Sequence, residues 1–209
     1  MTTSIEIKVF QRDLDKDFER AVMSCAAIAW DIETTGLDWN LDKMGTCQLH
    51  HPDIGTAIVQ LGDEIPSRLL HLLSCQKLLK VFHHAPFDLR FMAHKWKTQP
   101  VNVACTKIAA KILTPGLDGS EYSLRPLLQR RLGVSINKTQ QRSDWMAENL
   151  SDEQIKYATS DVIYLLPLLE NLKRSALASG VWSFVEASFT YLPVRVALDL
   201  LGAKDVFTY

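Results

Sequence analysis

The sequence predicts an α/β fold in which helices cover a mixed β-sheet. Short apolar runs of strand length occupy the first third of the chain, and helical periodicity is interleaved with them. From Thr106 onward the pattern is mostly helical. Strands first, with helices interleaved or following, indicate an α/β sandwich. The 209 residues, of which 47% are hydrophobic, suit one globular domain with a sizeable core.

Five runs have the composition and length of β-strands. In chain order they are Ile5–Phe10, Ala26–Thr34, Gly45–His50, Thr56–Leu61 and Leu78–His83. The third and fourth runs are joined by the turn-rich segment HPDIG. The third and fourth strands are therefore consecutive in the chain, with only this loop between them.

Helices are predicted between and after these strands. The early ones are Asp13–Ser24, Pro66–Ser74 and Pro86–Trp96. The clearest helix begins at Ser151, because Ser151 and Gln154 form the capping-box pattern at its start. Pro167 lies inside the same apolar pattern and should kink or split this helix.

Several functional classes are disfavoured by composition. No apolar run reaches the roughly 18 residues of a membrane helix. The start MTTSIEIKVFQRDLD lacks the features of a signal peptide. The four cysteines form no CxxC pair, which argues against a zinc site or disulfide framework. We therefore expect a cytoplasmic protein without a membrane partner. A metal-free hydrolase fits poorly, since GxSxG, P-loop and HExxH motifs are absent.

Charge is distributed unevenly along the chain. Residues 1–66 carry five Lys or Arg and twelve Asp or Glu, a balance of −7. Residues 91–145 carry nine Lys or Arg and three Asp or Glu, a balance of +6. This asymmetry hints at a polyanionic partner. Charge alone is more simply interpreted as solvated helix faces.

Two acids lie one residue apart in the stretch AWDIETTGLD. On a strand, Asp31 and Glu33 share one face with Ala27 and Ala29. Like charges held this close repel each other and raise one pKa. We therefore expect either a compensating positive charge or a strand that ends in water.

Two further acids are embedded in hydrophobic sequence. Asp88 opens a helix in HHAPFDLRF, and Asp161 follows Tyr157 by one helical turn in YATSDVIYLL. Unpaired carboxylates in apolar surroundings are costly. Hard divalent cations such as Mg²⁺ would satisfy all four acids, because they prefer oxygen ligands. Two ions about 3.5–4 Å apart can clamp both oxygens of a phosphodiester displacement.

Each of these residues also has a simpler interpretation when taken alone. The first pair could be a strand-end charge pair, and Asp88 could be an acid favoured at a helix N-terminus. Tyr157 could be a packed helix aromatic, and Asp161 could be one half of an ion pair. The joint pattern favours the metal site over these separate explanations.

Three motifs in order carry a family resemblance. DIETTGL, HHAPFD and YATSD resemble the three motifs of the DEDD superfamily of 3′-5′ exonucleases, and the Tyr-xxx-Asp spacing is that of its tyrosine (DEDDy) branch. The stretch KTQQRSDWMAENLSDEQIKYATSDVIYLLPL is similar to ribonuclease D. The resemblance implies the DnaQ-like, ribonuclease H-like form of the α/β fold.

The resemblance also implies roles for individual residues. Two Mg²⁺ or Mn²⁺ ions would be held by four carboxylates, Asp31, Glu33, Asp88 and Asp161. Tyr157 would orient the attacking water, since a phenol with a pKa of about 10 is a weak base. Glu33 and the backbone N–H of Thr34 would contact the terminal 3′-hydroxyl, and Leu37 would wedge against the last base. The products would be nucleoside 5′-monophosphates.

One position departs from the family pattern. The second motif usually carries Asn where this chain has His84. His83 and His84 could contact metal or phosphate, although adjacent strand-end histidines are more often hydrogen-bonded structure. This departure leaves a secondary substrate contact open.

The last residues bear on the substrate. The segment FTYLPVRVALDLLGAKDVF resembles the C-terminus of the compact nanoRNase C branch. That likeness implies short single-stranded RNA, including dinucleotides, as substrate and a ring-like homo-octamer as assembly. We expect residues 1–209 to form one exonuclease domain without an HRDC domain, with 181–209 as a helical tail used in oligomerisation. Alternatively, Leu192, Val196, Leu200 and Leu201 pack on their own domain.

Other functions remain open at this point. Trimming of tRNA or other structured RNA 3′ ends, as in ribonuclease D, would use the same site. A 3′-5′ DNA exonuclease would too, since no reader of the 2′-hydroxyl is evident. A catalytically silent nucleic-acid-binding module is a different class, and it would be expected to have lost an acid or the tyrosine.

Overall fold

A single six-stranded mixed sheet organises the computed structural model, which describes residues 6–137, 140, 142–203 and 205–208. The strands are β1 (Ile7–Gln11), β2 (Ala27–Thr34), β3 (Met44–His51), β4 (Gly55–Gln60), β5 (Leu79–Phe82) and β6 (Val103–Cys105). Their order across the sheet is β1-β4-β3-β2-β5-β6. Strands β2, β3 and β4 pair antiparallel, whereas β1–β4, β2–β5 and β5–β6 pair parallel. The predicted mixed sheet is confirmed.

Helices cover both faces of this sheet. They are α1 (Lys16–Met23), α2 (Ser67–Leu73), α3 (Ala85–Trp96), α4 (Thr106–Leu113), α5 (Leu124–Leu132), α6 (Asp152–Val162), α7 (Leu165–Ala178) and α8 (Trp182–Leu200). A short 3-10 turn, Gly119–Tyr122, precedes α5. The predicted α/β class with flanking helices is therefore confirmed.

Strand β2 has a different environment on each face. Ile28, Trp30 and Ile32 belong to one hydrophobic core, whereas Ala29 packs in the other core with Val81. This alternation follows from the two-residue period of a strand. The predicted assignment of the two faces is confirmed, and it leaves Asp31 and Glu33 on the face with the small residues.

Most element boundaries agree with the sequence, with two informative exceptions. Strand β6 was not predicted, because it has only three residues, all buried, and too short a pattern to recognise. The predicted start of the first strand at Ile5 lies outside the described residues. Within the described part, that strand begins at Ile7.

The predicted interruption at Pro167 is present. Helix α6 ends at Val162 and α7 begins at Leu165, so Pro167 lies in the first turn of α7. There its missing N–H removes no intrahelical hydrogen bond. The chain is split into two helices, and α6 carries the third motif alone.

Helix α8 packs on its own domain along part of its length. Leu192 and Val196 are buried in the core that contains Trp30, and Leu200 packs against that core, whereas Leu201 is 81% exposed. Packing on the domain's own core therefore accounts for Leu192, Val196 and Leu200, but not for Leu201. The division of the chain into one domain with an oligomerisation tail stays a prediction. Among the described residues, no helix is both long and apolar enough to cross a bilayer.

Candidate active site

Strand β2 presents Asp31 and Glu33 near its end. Asp31 pairs with Gln48 and Glu33 pairs with Thr46 on β3, and the register shifts directly after Glu33. A shift of this kind ends regular pairing and re-aims the chain. Both carboxylates therefore lie where the strand gives way to the loop that carries Leu37.

Helix α6 brings the third acid to this strand. One carboxylate oxygen from each of Asp31, Glu33 and Asp161 lies within 4.8 Å of the other two. The structure therefore brings together three residues that are up to 130 positions apart in the sequence. They form the cluster of metal-ligating side chains found among the described residues.

Asp88 approaches the same cluster from the first turn of α3. Its side chain is buried, with 2% exposure, and its charge raises the pKa of Asp31 and of Glu33. Helix α3 is preceded by its N-cap residue His84, which has a left-handed φ of 70°, and Pro86 occupies the first turn of the helix. The Asp88 carboxylate faces β2, where the Ile32 backbone is near enough to hydrogen-bond it.

The protein matrix disfavours charge on these acids. Burial is the first cause that raises the pKa of Asp31, followed by the charges of Asp88, Glu33 and Asp161. Burial, followed by Asp161 and Asp88, raises the pKa of Glu33 to about 9. Burial also raises the pKa of Asp88, against hydrogen bonds from the backbone. Neighbouring carboxylates and low dielectric account for these directions.

This donor set fits divalent cations. Within the described part of the chain, no ion pair to Asp31, Glu33 or Asp88 is found. Mutually repelling carboxylates in a buried site are stabilised by a bound cation that restores neutrality. The oxygen-only character of the set suits Mg²⁺ or Mn²⁺ better than a soft metal.

Tyr157 lies one turn before Asp161 on α6. Its ring packs against Trp145 with centroids 5.9 Å apart, and its hydroxyl hydrogen-bonds to Asp161. Burial, followed by the charges of Asp161 and Glu33, raises the pKa of Tyr157. The phenol therefore keeps its proton and acts as a hydrogen-bond donor at neutral pH.

A cleft of about 690 Å³ surrounds the cluster. It is lined by all seven residues singled out from the sequence, Asp31, Glu33, Thr34, Leu37, Asp88, Tyr157 and Asp161. Leu37 is 83% exposed, so its side chain is available to a ligand. The Thr34 hydroxyl donates to the Gly36 carbonyl at 2.6 Å and thereby shapes the loop between them.

Further residues line the cleft that sequence reasoning did not single out. They are Phe87, Lys107, Ser123, Arg142 and Ser143. Lys107 and Arg142 belong to the basic segment 91–145, so the charge asymmetry was the available signal. Other cations of that segment lie elsewhere, since Arg130 and Arg131 line a separate cavity of about 300 Å³. Only part of the basic segment therefore faces the cleft.

The two histidines of the second motif have different environments. His83 Nδ1 lies 2.8 Å from the Thr106 hydroxyl, which ties the end of β5 to the start of α4. His84 is the N-cap residue directly before α3. Burial, followed by the charges of Lys107 and Arg90, lowers the pKa of His84 to about 4. It is therefore neutral at pH 7, which disfavours it as a cationic phosphate contact.

A family model described as 3′-5′ exonuclease matches residues 7–176 of the chain. The chain belongs to the 3′-5′ exonuclease family. The resemblance stated from the sequence is confirmed, and so is the enzyme class. As a member of this family with an intact carboxylate cluster, the protein uses divalent cations, as predicted.

Curated relatives of this exonuclease include ribonuclease D. The chain is 34% identical to ribonuclease D of Haemophilus influenzae over 157 residues, which are 75% of this chain and 38% of the relative. The chain thus spans well under half of the length of that relative. The match covers an exonuclease-sized part of a longer protein.

Solved structures resemble the exonuclease over nearly its whole length. NrnC of Brucella melitensis has a TM-score of 0.89 and 36% identity, with 97% of this chain and 98% of that chain covered. Other structures are of NrnC bound to pGG and of NrnC with bound Mg²⁺, both 34% identical, with TM-scores of 0.88 and 0.87. These two cover 99% and 97% of this chain, and 100% and 98% of theirs. Escherichia coli RNase D, at 23% identity and a TM-score of 0.79, covers 92% of this chain and 51% of that chain and shares the fold.

Proposed function

We propose that the protein is a two-metal-dependent 3′-5′ exoribonuclease that acts on short RNAs, including dinucleotides, and releases nucleoside 5′-monophosphates. One observation carries the proposal: acids from β2, α3 and α6 converge beside Tyr157 in a single cleft. A cluster that is costly without cations is explained if cation binding is its purpose. The family match supports the direction of degradation.

The four carboxylates would hold the cations, as their oxygen ligands and burial suggest. When bound, a pair of divalent ions supplies an activated water and stabilises the departing 3′-oxygen. The carboxylates would set the positions of the ions, because they come from three separate elements, β2, α3 and α6. Asp88 would contribute its carboxylate from a buried position in the first turn of α3.

Tyr157 would position the water rather than remove its proton. The raised pKa keeps the phenol protonated, so the oxygen donates a hydrogen bond and accepts another. Packing against Trp145 fixes the ring, which limits the directions in which the hydroxyl points. Orientation of this kind is a recognised contribution to catalysis.

The RNA would lie with its 3′ end against β2. Glu33 and the Thr34 backbone would contact the terminal 3′-hydroxyl, and the exposed Leu37 would stack on the last base. Lys107 and Arg142, which also line the cleft, would contact the phosphates. Such contacts are sequence-independent. The cleft thus recognises an end and a backbone and does not depend on the bases.

Short RNA is favoured by the structural comparison. The NrnC structure bound to pGG is similar to this chain over 99% of its residues. The cleft volume of about 690 Å³ lies within the range of about 300–1,000 Å³ typical of ligand pockets. A pocket of that size suits a few nucleotides more readily than a folded RNA.

Trimming of structured RNA ends is the second candidate, and the 34% identity to ribonuclease D favours it. The catalytic cluster serves either substrate equally well, so discrimination rests with the cleft and with the assembly. A DNA exonuclease would use the same cluster too. A silent binding module is disfavoured, because all five motif residues are present.

We also propose that the protein is a homo-oligomer, with an octamer as the expected form. Large apolar side chains at the C-terminal end are exposed to solvent. Their exposed fractions are 64% for Phe184, 46% for Val194, 81% for Leu201, 54% for Val206 and 78% for Phe207. Apolar surface of this extent is commonly covered by a partner.

A time course on four labelled substrates tests the substrate class. They are an RNA dinucleotide, a seven-nucleotide RNA, a tRNA with a 3′ extension and a matched DNA, each with Mg²⁺ or Mn²⁺. Rapid conversion of the dinucleotide to mononucleotides is expected, with no reaction in EDTA. Selective trimming of the tRNA would instead support the ribonuclease D role. Full activity of Asp31→Ala would refute the proposed site.

A further inference from the structure

Gln154 makes more hydrogen bonds than its capping role requires. Its Oε1 accepts from the Ser151 backbone N–H at 2.9 Å, which completes the capping box of α6. Its Nε2 donates to the Asp144 carbonyl at 2.9 Å and to the Ser143 hydroxyl at 3.2 Å. The side chain is 7% exposed, so these bonds are shielded from water. One amide therefore joins two separate segments.

The two segments that Gln154 joins both reach the cleft. Helix α6 carries Tyr157 and Asp161, and the segment before it carries Arg142 and Ser143, which also line the cleft. Arg142 is exposed, and within the described part of the chain no carboxylate pairs with it. Its position in the cleft therefore depends on the backbone that carries it.

The rest of this segment is held by other groups. Gln60 Nε2 donates to the carbonyls of Ala147 at 3.0 Å and of Glu148 at 3.3 Å. Trp145 is 2% exposed and lies against Gly45, where an added Cβ would come within 2.4 Å of the Trp145 carbonyl oxygen. These restraints begin at residue 145, so among the residues that the structure describes the Gln154 amide is the side chain that joins residues 143–144 to the helix.

We infer that Gln154 is a positioning residue, which sets the place of Arg142 relative to Tyr157 and Asp161 through its hydrogen bonds to residues 143 and 144. This inference rests on the proposed function, in which Arg142 contacts an RNA phosphate. A cation whose backbone is fixed loses less freedom when the substrate binds. Because the backbone at residues 143 and 144 is bonded to α6, the distance between Arg142 and the carboxylate cluster also stays constant.

The capping box allows the two roles of Gln154 to be separated. Gln154→Glu keeps the side-chain acceptor for the Ser151 N–H, since Glu serves equally well at this position. It removes the Nε2 donor and places a carboxylate beside the Asp144 carbonyl. Ser151→Ala is the matched control, because it removes the other half of the box and leaves the bonds to residues 143 and 144 intact.

Kinetics on an RNA dinucleotide should distinguish these variants. Gln154→Glu should raise KM by about tenfold with kcat changed less than twofold, the size expected for one charge-assisted phosphate contact. Ser151→Ala should lower the melting temperature and leave KM unchanged. Arg142→Gln should raise KM similarly, and the double variant Arg142→Gln/Gln154→Glu should be no worse than Arg142→Gln alone.

A second readout does not depend on catalysis. Hydrogen exchange followed by mass spectrometry should show faster exchange over residues 140–146 in Gln154→Glu, with α6 as protected as in the wild type. Unchanged exchange overturns the inference even for a protein that is inactive on RNA. Additive effects in the double variant, or a loss confined to kcat, also overturn it. A wild type inactive on every RNA would refute the proposed function separately.

Discussion

Asp88 illustrates at the scale of a residue why this site is costly without its cations. The carboxylate is almost fully buried, and burial raises its pKa. At pH 8 the metal-free protein must either keep a proton on this group or hold a buried charge, and both choices lower the free energy of unfolding. Cation binding removes that penalty, so function and metal-free stability oppose each other at this position.

Asp88→Asn should therefore separate activity from stability. The asparagine amide has nearly the same shape as the carboxylate, but it carries no charge and is a weak ligand for a divalent cation. Nuclease activity should therefore fall by about 10³-fold, equivalent to about 4 kcal/mol of activation free energy. In EDTA at pH 8 its melting temperature should rise, by about 2–4 °C for each kcal/mol regained. Turnover assays and thermal melts measure the two effects.

The exposed acid Asp63 provides the control for Asp88→Asn. Its side chain is fully exposed, and it lies 3.8 Å from the Lys43 ammonium at the surface. Asp63→Asn should leave both activity and melting temperature unchanged, because surface ion pairs contribute little. Retained activity in Asp88→Asn, or a lower melting temperature in EDTA, would contradict the role assigned to the carboxylate.

His50 gives a pH-dependent prediction away from the site. It is 5% exposed, with Nδ1 2.8 Å from the Thr56 hydroxyl, and burial lowers its pKa to about 4. The unfolded chain binds a proton at about pH 6.5, so stability is lost as the pH falls from that value towards 4. Between pH 7.5 and 5 this group should account for a loss of about 2 kcal/mol.

His50→Asn removes the titrating group, and urea unfolding at the two pH values isolates its effect. The free energy of unfolding should fall by about 2 kcal/mol less in the variant than in the wild type. All other titrating groups are common to both proteins, so the comparison cancels them. Equal losses in the two proteins would show that His50 is not held neutral by the fold.

At the scale of an element, the loop after β2 is fixed by one acid. The Asp42 carboxylate accepts from the Asp38 backbone N–H at 2.8 Å and from the Thr35 hydroxyl at 3.3 Å. A Cβ added at Gly36 would lie 2.4 Å from this carboxylate. A larger residue at this position would have to push the Asp42 carboxylate aside, and Leu37 follows it directly.

Gly36→Ala should displace the Asp42 side chain and loosen the loop that presents Leu37. We expect KM to rise by about fivefold, in line with the loss of about 1 kcal/mol of hydrogen bonding. The melting temperature should change little, because the loop is exposed. Gly62→Ala is the control, since its nearest neighbour would be Arg12 Cγ at 3.6 Å. Unchanged kinetics in Gly36→Ala would show that the loop tolerates displacement of Asp42.

Elements with a strong local pattern could be predicted from the sequence. The two faces of β2 follow from its alternation, and the start of α6 follows from Ser151 and Gln154. Strand β6 was missed because three residues, although buried, carry no recognisable period. Its place in the sheet is set by pairing with β5, which is a tertiary property.

The residues of the site also differ in how far the sequence alone predicts them. Asp31, Glu33, Asp88, Tyr157 and Asp161 could be singled out because acids in apolar sequence are conspicuous and the motif order is specific. Lys107 and Arg142 could not, because composition marks a basic segment without showing which of its cations face the cleft. The two hydrogen bonds from Gln154 Nε2, to residues 143 and 144, have no sequence signature.

For the whole molecule, the uneven charge acquires a spatial meaning. The acidic first part of the chain supplies Asp31 and Glu33, whereas the basic segment supplies Lys107 and Arg142 to the same cleft. The same cleft thus holds acids that suit cations and two basic side chains that suit phosphates. This combination favours an RNA strand with its 3′ end at the acids, because its phosphates are attracted to Lys107 and Arg142.

The exposed apolar residues of the tail lead to a prediction about assembly. A chain of 23.6 kDa that leaves Phe184 and Leu201 exposed by 64% and 81% should bury them against other copies. Light scattering coupled to size exclusion should give a mass several times that of the monomer at micromolar concentration. Phe184→Glu/Leu201→Glu should yield monomer, because each buried charge without a partner is costly.

Glu170→Lys, at an exposed position of α7, serves as the control for a change of charge. A monomeric wild type would contradict the proposed oligomer and leave the exonuclease assignment intact, since the carboxylate cluster is formed within one chain.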